Sequence, residues 1–252
     1  MPGRGIEMAA PAVPGRYVVP LIESQRESPT SMTFRFSTRA AGFRYRSNQA
    51  IRLSLPGVED PWGPTRTFSL SSSPSEPDIL AVTCKISDTA FKQALARLAP
   101  GAEAEVFGPL GHFLYDPARP SVFIAGGIGV TPFRGMLRFA ADATGAADRR
   151  LLYSARTPEE LLFRSEFDSM AESSSRFRAL YTVTRPSESV GDWDGPVGRI
   201  DTARIRAAAE GLERPRYFVA GLPDMVEFTI AQLRGPLAVP ESDVLFEAFR
   251  GF

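Results

Sequence analysis

The sequence predicts two domains, an antiparallel β-barrel followed by an α/β domain with a doubly wound parallel sheet. Short β-like runs separated by turns fill the first half of the chain. In the second half, strands alternate with helices. Residues 116–120 lie between the halves and contain two prolines, each of which disfavours helix at the residue before it. The 252 residues suffice for two compact units with their own cores.

The first half has the spacing of a small barrel or sandwich. The β-like runs cover residues 16–22, 32–37, 49–55, 66–71, 79–86 and 104–107. One helix is predicted over residues 90–98, because apolar residues recur there at helical spacing and a Pro-Gly pair follows. We expect the barrel domain to span residues 16–117. Residues 1–15, rich in proline, glycine and alanine, are expected to form a mobile arm.

In the second half, predicted strands and helices alternate as they do in nucleotide-binding domains. Strands are predicted over residues 121–125, 150–154, 178–184 and 216–220, and helices over residues 131–141, 158–171, 201–211 and 224–234. The first strand is continuously apolar and leads directly into helix signals, which is typical of a parallel sheet covered on both faces. We expect this domain to span residues 118–252.

Composition excludes several classes of function. The charges balance at 29 basic and 29 acidic residues, which argues against binding to nucleic acid or to an anionic membrane. A single cysteine, Cys84, and a single histidine, His112, exclude an intrachain disulfide, a Cys-ligated zinc or iron-sulfur site and a His-rich metal cage. No apolar run approaches the ~20 residues that span a bilayer, and no signal peptide is evident. A cytoplasmic protein without a metal is therefore expected.

The strongest local motif is a glycine-rich turn after the first strand of the second half. It consists of Gly126, Gly127, Ile128, Gly129, Val130, Thr131 and Pro132. Glycines let backbone amides approach an anion closely, and a proline near the start of a helix presets its first turn. The turn therefore predicts a pyrophosphate site. The alternative is that the glycines only permit tight packing between strand and helix.

Further segments complete a set that occurs in a fixed order. They are Arg-Thr-Phe-Ser at 66–69, Gly-Pro-Leu-Gly at 108–111, the glycine-rich turn, Ala-Gly-Leu-Pro-Asp-Met at 220–225 and Phe-Glu-Ala-Phe-Arg-Gly-Phe at 246–252. This set resembles the ferredoxin-NADP reductase family over roughly residues 17–252. The resemblance implies a flavin-binding barrel, a Rossmann-like domain for NAD(P)H and an oxidoreductase activity.

The resemblance assigns flavin contacts to the first half. The family motif Arg-x-aromatic-Ser falls on Arg66, Thr67, Phe68 and Ser69. A guanidinium pairs with pyrophosphate oxygens, an aromatic face packs on the flavin, and a hydroxyl hydrogen-bonds near its N5 atom. The alternative is an ordinary amphipathic strand with an exposed arginine. The next strand of the family, lining the ribityl and adenine side, falls on Thr83, Cys84 and Lys85, and Cys84 is expected to be chemically passive.

One segment departs from the family pattern. Where the family commonly has a Gly-x-x-Ser turn at the flavin pyrophosphate, this chain has Thr89, Ala90, Phe91 and Lys92. The helix start still offers backbone amides, with Asp88 or Thr89 as its cap. FAD is the expected cofactor, and FMN is the alternative.

The resemblance also assigns the nicotinamide side. Thr131 is implied to face the nicotinamide, and Ala220, Gly221 and Leu222 to border it, with alanine where the family has a cysteine. Glu247 matches an acidic residue close to the flavin ring. Phe249 or Phe252 is implied to cover that ring, the alternative being that the aromatic tail anchors a strand in the core. Ser69, Glu247 and Phe249 form the expected catalytic set.

The choice of coenzyme depends on two strand ends. Ser154 and Arg156 follow the second strand of the α/β domain, where an NAD-selective site would carry an acid, and Arg185 follows the next strand. These arginines could converge on the 2′-phosphate of NADPH. Alternatively, Arg156 pairs with Glu159 or Glu160, and those acids could serve an NADH site.

The resemblance implies a reductase that moves a hydride from NADPH to FAD and then passes single electrons to a separate carrier such as ferredoxin or flavodoxin. Alternatives are an NADH- or NADPH-dependent reductase of free flavin or ferric chelates, the reductase component of an oxygenase, and a non-catalytic flavin or nucleotide sensor. A basic stretch suits docking of an acidic carrier, or is merely solvated. It contains Arg35, Arg39, Arg44, Arg46 and Arg52.

Overall fold

The computed structural model describes residues 13–111 and 115–249. Predictions that concern His112, Phe252 and most of the N-terminal arm lie outside these residues. The chain divides into two compact units. One contains the described residues up to Tyr115 together with residues 131–144, and the other contains residues 116–130 and everything from residue 145 onward.

The described residues of the first unit up to Tyr115 form a closed antiparallel barrel and a short helix, α1. Its elements are β1 (Gly15–Ser28), β2 (Ser31–Ser37), β3 (Ala50–Ser54), β4 (Thr65–Ser69), β5 (Ile79–Lys85), α1 (Ala90–Ala96) and β6 (Glu103–Leu110). The strands are ordered β4-β3-β6-β1-β2-β5. An antiparallel bridge between Leu70 and Val82, with a 2.9 Å bond from Ser71 N to Ala81 O, joins the two outer strands. The predicted antiparallel barrel is confirmed.

The barrel is filled by the apolar residues that predicted its strands. Phe34 and Phe36 of β2 and Ile51 and Leu53 of β3 are fully buried, in the two-residue alternation of strands with one face inward. Phe91 and Leu95 of α1 complete the same core. α1 therefore packs its apolar face on the barrel, as its spacing predicts.

The second unit is a five-stranded parallel sheet. Its elements are β7 (Ser121–Gly126), β8 (Arg149–Ala155), α3 (Arg164–Ser173), β9 (Phe177–Val183), α4 (Thr202–Ala209), β10 (Arg216–Gly221), α5 (Pro223–Arg234) and β11 (Val244–Ala248). The order β11-β10-β7-β8-β9 makes β7 the first and central strand. The chain reverses its direction of winding between β7 and β10, and ligands of such sheets bind at that switch point. The predicted doubly wound sheet is confirmed.

One helix that was predicted as part of the second domain belongs to the first unit. The helix α2 (Thr131–Asp142) follows the glycine-rich turn of the sheet unit, yet belongs to the barrel unit. Its Arg134 donates to Ser71 O and pairs with Glu76, and a Cβ at Gly135 would lie 2.5 Å from Ser72 O. The boundary after residue 117 stays a prediction.

Other differences concern element ends. The prediction of a helix over residues 158–171 is wrong for its first six residues. Pro158–Glu160 forms a 3-10 turn, and Phe163, with a left-handed φ of 58°, prevents a continuous helix, so α3 begins at Arg164. β1 continues to Ser28 because its irregular ladder with β2 extends beyond Ile22. Among the described residues, no helix is both long and apolar enough to cross a membrane.

Candidate flavin and nucleotide sites

In the barrel unit, Arg66 and Phe68 form a cluster with α1. They are two residues apart on β4 and therefore point to the same face, and each is 8% exposed. The ring of Phe68 lies 6.2 Å from that of Phe91, and the Arg66 guanidinium lies 5.1 Å from the centre of the Phe91 ring. Ser69 is buried, whereas Thr67 is exposed.

Asp60, which the sequence did not single out, occupies the centre of this cluster. Its Oδ1 accepts a 2.6 Å bond from Arg66 Nη2, and its Oδ2 accepts a 2.8 Å bond from the backbone N–H of Phe91. The bond from Phe91 is the main cause that holds the pKa of Asp60 below its ordinary value, with bonds from Trp62 and Arg66 adding to it against the effect of burial. One carboxylate thus joins the arginine of the flavin motif to the first turn of α1.

The Arg66 guanidinium is almost saturated within the chain. Besides Asp60, its Nη1 lies within hydrogen-bond distance of three backbone carbonyls between Trp62 and Thr65, at 2.8 to 3.2 Å. Its buried Nε has no hydrogen-bond partner among the residues that the structure describes. The acceptors of Arg66 are therefore a carboxylate and backbone carbonyls, and its role at the flavin pyrophosphate stays a prediction.

Lys92 provides the second cation of the cluster. The residue is 5% exposed, and its Nζ lies 4.5 Å from the centre of the Phe68 ring and contacts the Cys84 thiol. Burial raises the pKa of Cys84, against a smaller opposing effect of Lys92, which fits the passive role expected for this thiol. Thr89 caps α1 by accepting the Lys92 N–H, so one of the two cap candidates is confirmed.

The remaining residues predicted to contact flavin differ in whether their side chains are free to bind a ligand. The Thr83 hydroxyl is buried and bonded to Thr33 and Ser71, so it is committed to the barrel. Lys85 and Ala90 are exposed. The cluster fits a phosphate-bearing flavin, because the buried Arg66 Nε has no acceptor among the described residues and the buried Lys92 adds a second cation.

In the sheet unit, the glycine-rich turn packs on the end of β10. A Cβ at Gly129 would lie 2.2 Å from Ala220 O, and one at Gly126 would lie 3.2 Å from the Met225 sulfur. Gly127 has a φ of +52°, in the left-handed region that favours glycine. Neither Gly127–Val130, a 3-10 turn, nor the first turn of α2 contains an acidic residue. At Gly129, the backbone of β10 thus leaves no room for a side chain, and the other residues leave the turn suited to an anion.

The ends of β10 and β11 bring several predicted residues together. Phe249 N donates a 2.8 Å bond to Gly221 O, and Glu247 lies opposite Ala220 in the ladder. Leu222 is 60% exposed at the start of α5. Phe249 is half-buried, and Phe246 is 51% exposed, so Phe246 does not anchor the tail in the core.

The two predicted coenzyme arginines converge on one carboxylate. Arg156 Nη2 lies 2.8 Å from Glu188 Oε2, and Arg185 Nη1 lies 3.0 Å from Glu188 Oε1. Hydrogen bonds from Arg185 and then Arg156 hold the pKa of Glu188 below its ordinary value. All three side chains are about half exposed. The alternative pairing of Arg156 with Glu159 or Glu160 is wrong, since Arg156 pairs with Glu188, and Glu159 accepts from Ser189 and Gly191.

The convergence follows from the sheet. β8 and β9 are parallel neighbours, with Ser154 opposite Thr182, so the residues after them leave the sheet side by side. A 2.7 Å bond from Arg185 N to Arg156 O holds the two segments together. Glu188 comes from a short turn after β9, and no pattern in the sequence marked it.

Comparison with known proteins places these features in a family. Residues 123–230 match the model of the oxidoreductase NAD-binding domain. Over 217 residues the chain is 36% identical to ferredoxin-NADP reductase B of Sorangium cellulosum, covering 82% of this chain and 86% of that one. It is 30% identical to the glycine betaine monooxygenase reductase subunit of Chromohalobacter salexigens, covering 84% of this chain and 58% of that one.

A solved structure supports the fold. The ferredoxin NADP+ reductase of Neisseria gonorrhoeae, with bound FAD and NADP, superposes with a TM-score of 0.73 at 21% identity, covering 94% of this chain and 99% of that one. The family expected from the ordered motifs is confirmed by the 36% identical relative. The expected enzyme class, a flavin-dependent NAD(P)H oxidoreductase, is confirmed at the level of that family. The chain belongs to the ferredoxin-NADP reductase family.

Proposed function

We propose that the chain binds FAD in the barrel unit and NADPH in the sheet unit, transfers a hydride from NADPH to FAD, and passes electrons singly to a separate carrier protein such as ferredoxin or flavodoxin. One observation carries the proposal. At the switch point between β7 and β10, the acid-free turn Gly127–Val130 lies against Ala220, and Phe249 is bonded to Gly221. This arrangement is typical of a site for the pyrophosphate and ring of a dinucleotide.

A bound flavin supplies the ability to accept two electrons as a hydride and to release them one at a time. We assign three residues to contacts with the reacting ring: Ser69 as a hydrogen-bond donor, Glu247 as the nearby acid and Phe249 as the aromatic cover. Thr131 and Pro132 start α2 and are assigned to the nicotinamide side of the glycine-rich turn. These roles follow from the family motifs.

The spacing of Arg156 and Arg185 supports NADPH as the donor. Since both guanidinium groups reach one carboxylate, both can reach one phosphate, and two charge-assisted contacts favour the 2′-phosphate over a ribose hydroxyl. Glu188 then has to release them when NADPH binds. In Arg156→Ala and Arg185→Ala, we expect kcat/KM to fall about tenfold or more for NADPH and to change little for NADH. A wild-type preference for NADH would contradict this assignment.

Two relatives favour two different electron acceptors. The relative from Sorangium cellulosum, named for ferredoxin, favours a small carrier protein, and this chain spans 86% of its length. The monooxygenase reductase subunit favours a second candidate, the reductase component of an oxygenase, although this chain spans only 58% of that relative. Turnover measured with ferredoxin, flavodoxin, free flavin and ferric chelates separates protein carriers from small acceptors.

The basic stretch offers less free charge for docking than its sequence implies. Arg35 is paired with Glu23 at 3.0 Å, and Arg39 with Asp78 at 3.2 Å. The basic stretch remains the proposed docking surface for an acidic carrier, and its contribution to the electrostatic attraction of that carrier is modest because part of its charge is paired. The cytoplasm is the proposed compartment, because the single cysteine is a free, buried thiol.

The test of the proposed function is the spectrum of the purified protein. We expect a flavin spectrum that bleaches when NADPH is added without oxygen. In stopped-flow reduction, Ser69→Ala and Glu247→Gln should slow bleaching more than they weaken NADPH binding, because both are assigned to the reacting ring. A protein that cannot be loaded with FAD or FMN would refute the proposal. Flavin that stays oxidised under NADPH and NADH would favour the non-catalytic sensor.

A further inference from the structure

We propose that Arg134 is a positioning residue for hydride transfer. It holds Thr131, assigned to the nicotinamide side, at a fixed distance from Ser69, assigned to the reacting flavin ring. The inference rests on the proposed function and adds a residue that none of the motifs assigns. It follows from the contacts that fix α2 to the chain leaving β4, and the residues that make them belong to the barrel unit.

The segment that follows β4, residues 70–73, is a rigid support. Ser71 and Ser72 are buried. The N–H of Ser71 donates to Ala81 O at 2.9 Å, and its Oγ accepts a 2.9 Å bond from the Thr83 hydroxyl. Ser72 Oγ accepts a 2.7 Å bond from the Tyr45 hydroxyl and a 2.9 Å bond from Ala81 N. Because this segment continues β4 directly, its position is tied to that of the end of the strand.

Arg134 joins α2 to this support through several hydrogen bonds. The residue is 7% exposed. Its Nη1 donates to Ser71 O at 2.9 Å, and its two terminal nitrogens contact the two carboxylate oxygens of Glu76 at 3.0 and 3.2 Å. A bidentate pair of this kind fixes orientation as well as distance. Glu76 is itself anchored, since it accepts the N–H of Ser73 at 2.6 Å. Against the effect of burial, the charge and hydrogen bonds of Arg134 hold the pKa of Glu76 below its ordinary value.

The backbone of α2 lies directly against the same support. A Cβ at Gly135 would lie 2.5 Å from Ser72 O, so the helix has no room to move closer. Thr131 is buried and lies three residues before Arg134, on the same face of the helix. Any shift of α2 along the support would therefore change the distance between Thr131 and Ser69.

Hydride transfer is sensitive to such a shift. The reacting atoms have to lie about 3–3.5 Å apart, and a misplacement of about 1 Å can cost about a hundredfold in rate. The affinity for NADPH is assigned to other groups, the glycine-rich turn and the arginines after β8 and β9. Loss of the Arg134 contacts should therefore lower the rate of flavin reduction more than the affinity for NADPH.

The experiment follows flavin reduction by NADPH in stopped flow, with the full flavin-loaded chain. The main variant, Arg134→Met with Glu76→Met, removes both charges and so leaves no buried charge unpaired. We expect the limiting rate at saturating NADPH to fall about ten- to hundredfold, with the Kd for NADPH within about threefold of the wild type. Arg134→Lys keeps the cation but cannot form the bidentate contact, and should lose about three- to tenfold. It provides the same test if the double variant yields no flavin-loaded protein.

A second measurement separates positioning from general damage to the fold. Flavin that has been reduced with dithionite should pass its electrons to ferricyanide at the wild-type rate in each variant, because that step does not involve nicotinamide. The matched control is Arg138→Met, the same substitution one turn further along α2. Its exposed guanidinium pairs with Asp142 of the same helix, so the limiting rate should stay unchanged.

A wild-type limiting rate in the Arg134 variants would overturn the inference. A loss confined to the Kd for NADPH would do the same, as would an equal slowing of the ferricyanide step. If the flavin of the wild type is reduced by neither NADPH nor NADH, the proposed function itself fails.

Discussion

Replacing Gly129 with alanine tests the packing at the nucleotide end of the sheet. A Cβ at this position would lie 2.2 Å from the carbonyl oxygen of Ala220, 2.4 Å from its carbonyl carbon and 2.6 Å from Gly221 N. All three obstacles are backbone atoms of β10, so no side chain can rotate away. The turn and the end of β10 would have to separate by roughly 1 Å to reach ordinary contact distance.

The cost can be bounded from this geometry. Overpacking of a well-filled site costs about 1–3 kcal/mol, and a rigid backbone obstacle belongs at the upper end of that range. We therefore expect Gly129→Ala to destabilise the protein by about 3 kcal/mol. For a chain of this size, that lowers the melting temperature by roughly 6–12 °C. Because the displaced turn is the proposed pyrophosphate site, NADPH affinity should fall as well.

Thermal melting and NADPH titration measure both effects. The matched control is Gly191→Ala, the same substitution at a site where the nearest atom to the new Cβ is Glu159 Oε1 at 3.8 Å. It should change stability by no more than about 0.5 kcal/mol. If Gly129→Ala melted within about 2 °C of the wild type and bound NADPH normally, the packing explanation for this glycine would be refuted.

Two further predictions concern the sheet unit. Tyr153→Phe removes a fully buried hydroxyl that accepts the N–H of Leu162 at 3.1 Å, and should cost about 1–3 kcal/mol in a thermal melt, more than the control Tyr217→Phe. Glu159 has a pKa lowered to about 2 from its ordinary value of 4.5, chiefly by the hydroxyl of Ser189. Its contribution to stability is therefore complete above pH 4.5 and is lost as the pH falls towards 2. A carboxyl of Glu159 that titrates near its ordinary pKa by NMR would contradict this.

Periodic features were predictable from the sequence. The strands that bury one or both faces carry a two-residue or continuous apolar pattern, so β2, β5 and β7 lie close to their expected ranges. The convergence of Arg156 and Arg185 was also predictable, because the carboxyl ends of adjacent parallel strands meet at one edge. In each case the relevant information is local or follows from topology.

The acceptors of the predicted cations were not predictable. Asp60 lies in a loop and reaches a backbone N–H that is 31 residues away along the chain. Glu188 lies in a short turn whose course depends on the bond between Ser189 and Glu159. Loops of this kind have no periodic pattern. A sequence motif therefore identifies the arginine but not the carboxylate that forms an ion pair with it.

The grouping of α2 with the barrel limits how the protein can be divided into parts. A fragment that ends near residue 115 lacks Arg134, which donates to Ser71 O and pairs with Glu76. A fragment that starts near residue 118 carries α2 without those acceptors. Chimeras that join the barrel of one relative to the sheet of another at the linker would thus combine α2 from one parent with the barrel residues that contact it from the other. A functional exchange therefore requires that α2 and the barrel come from the same parent.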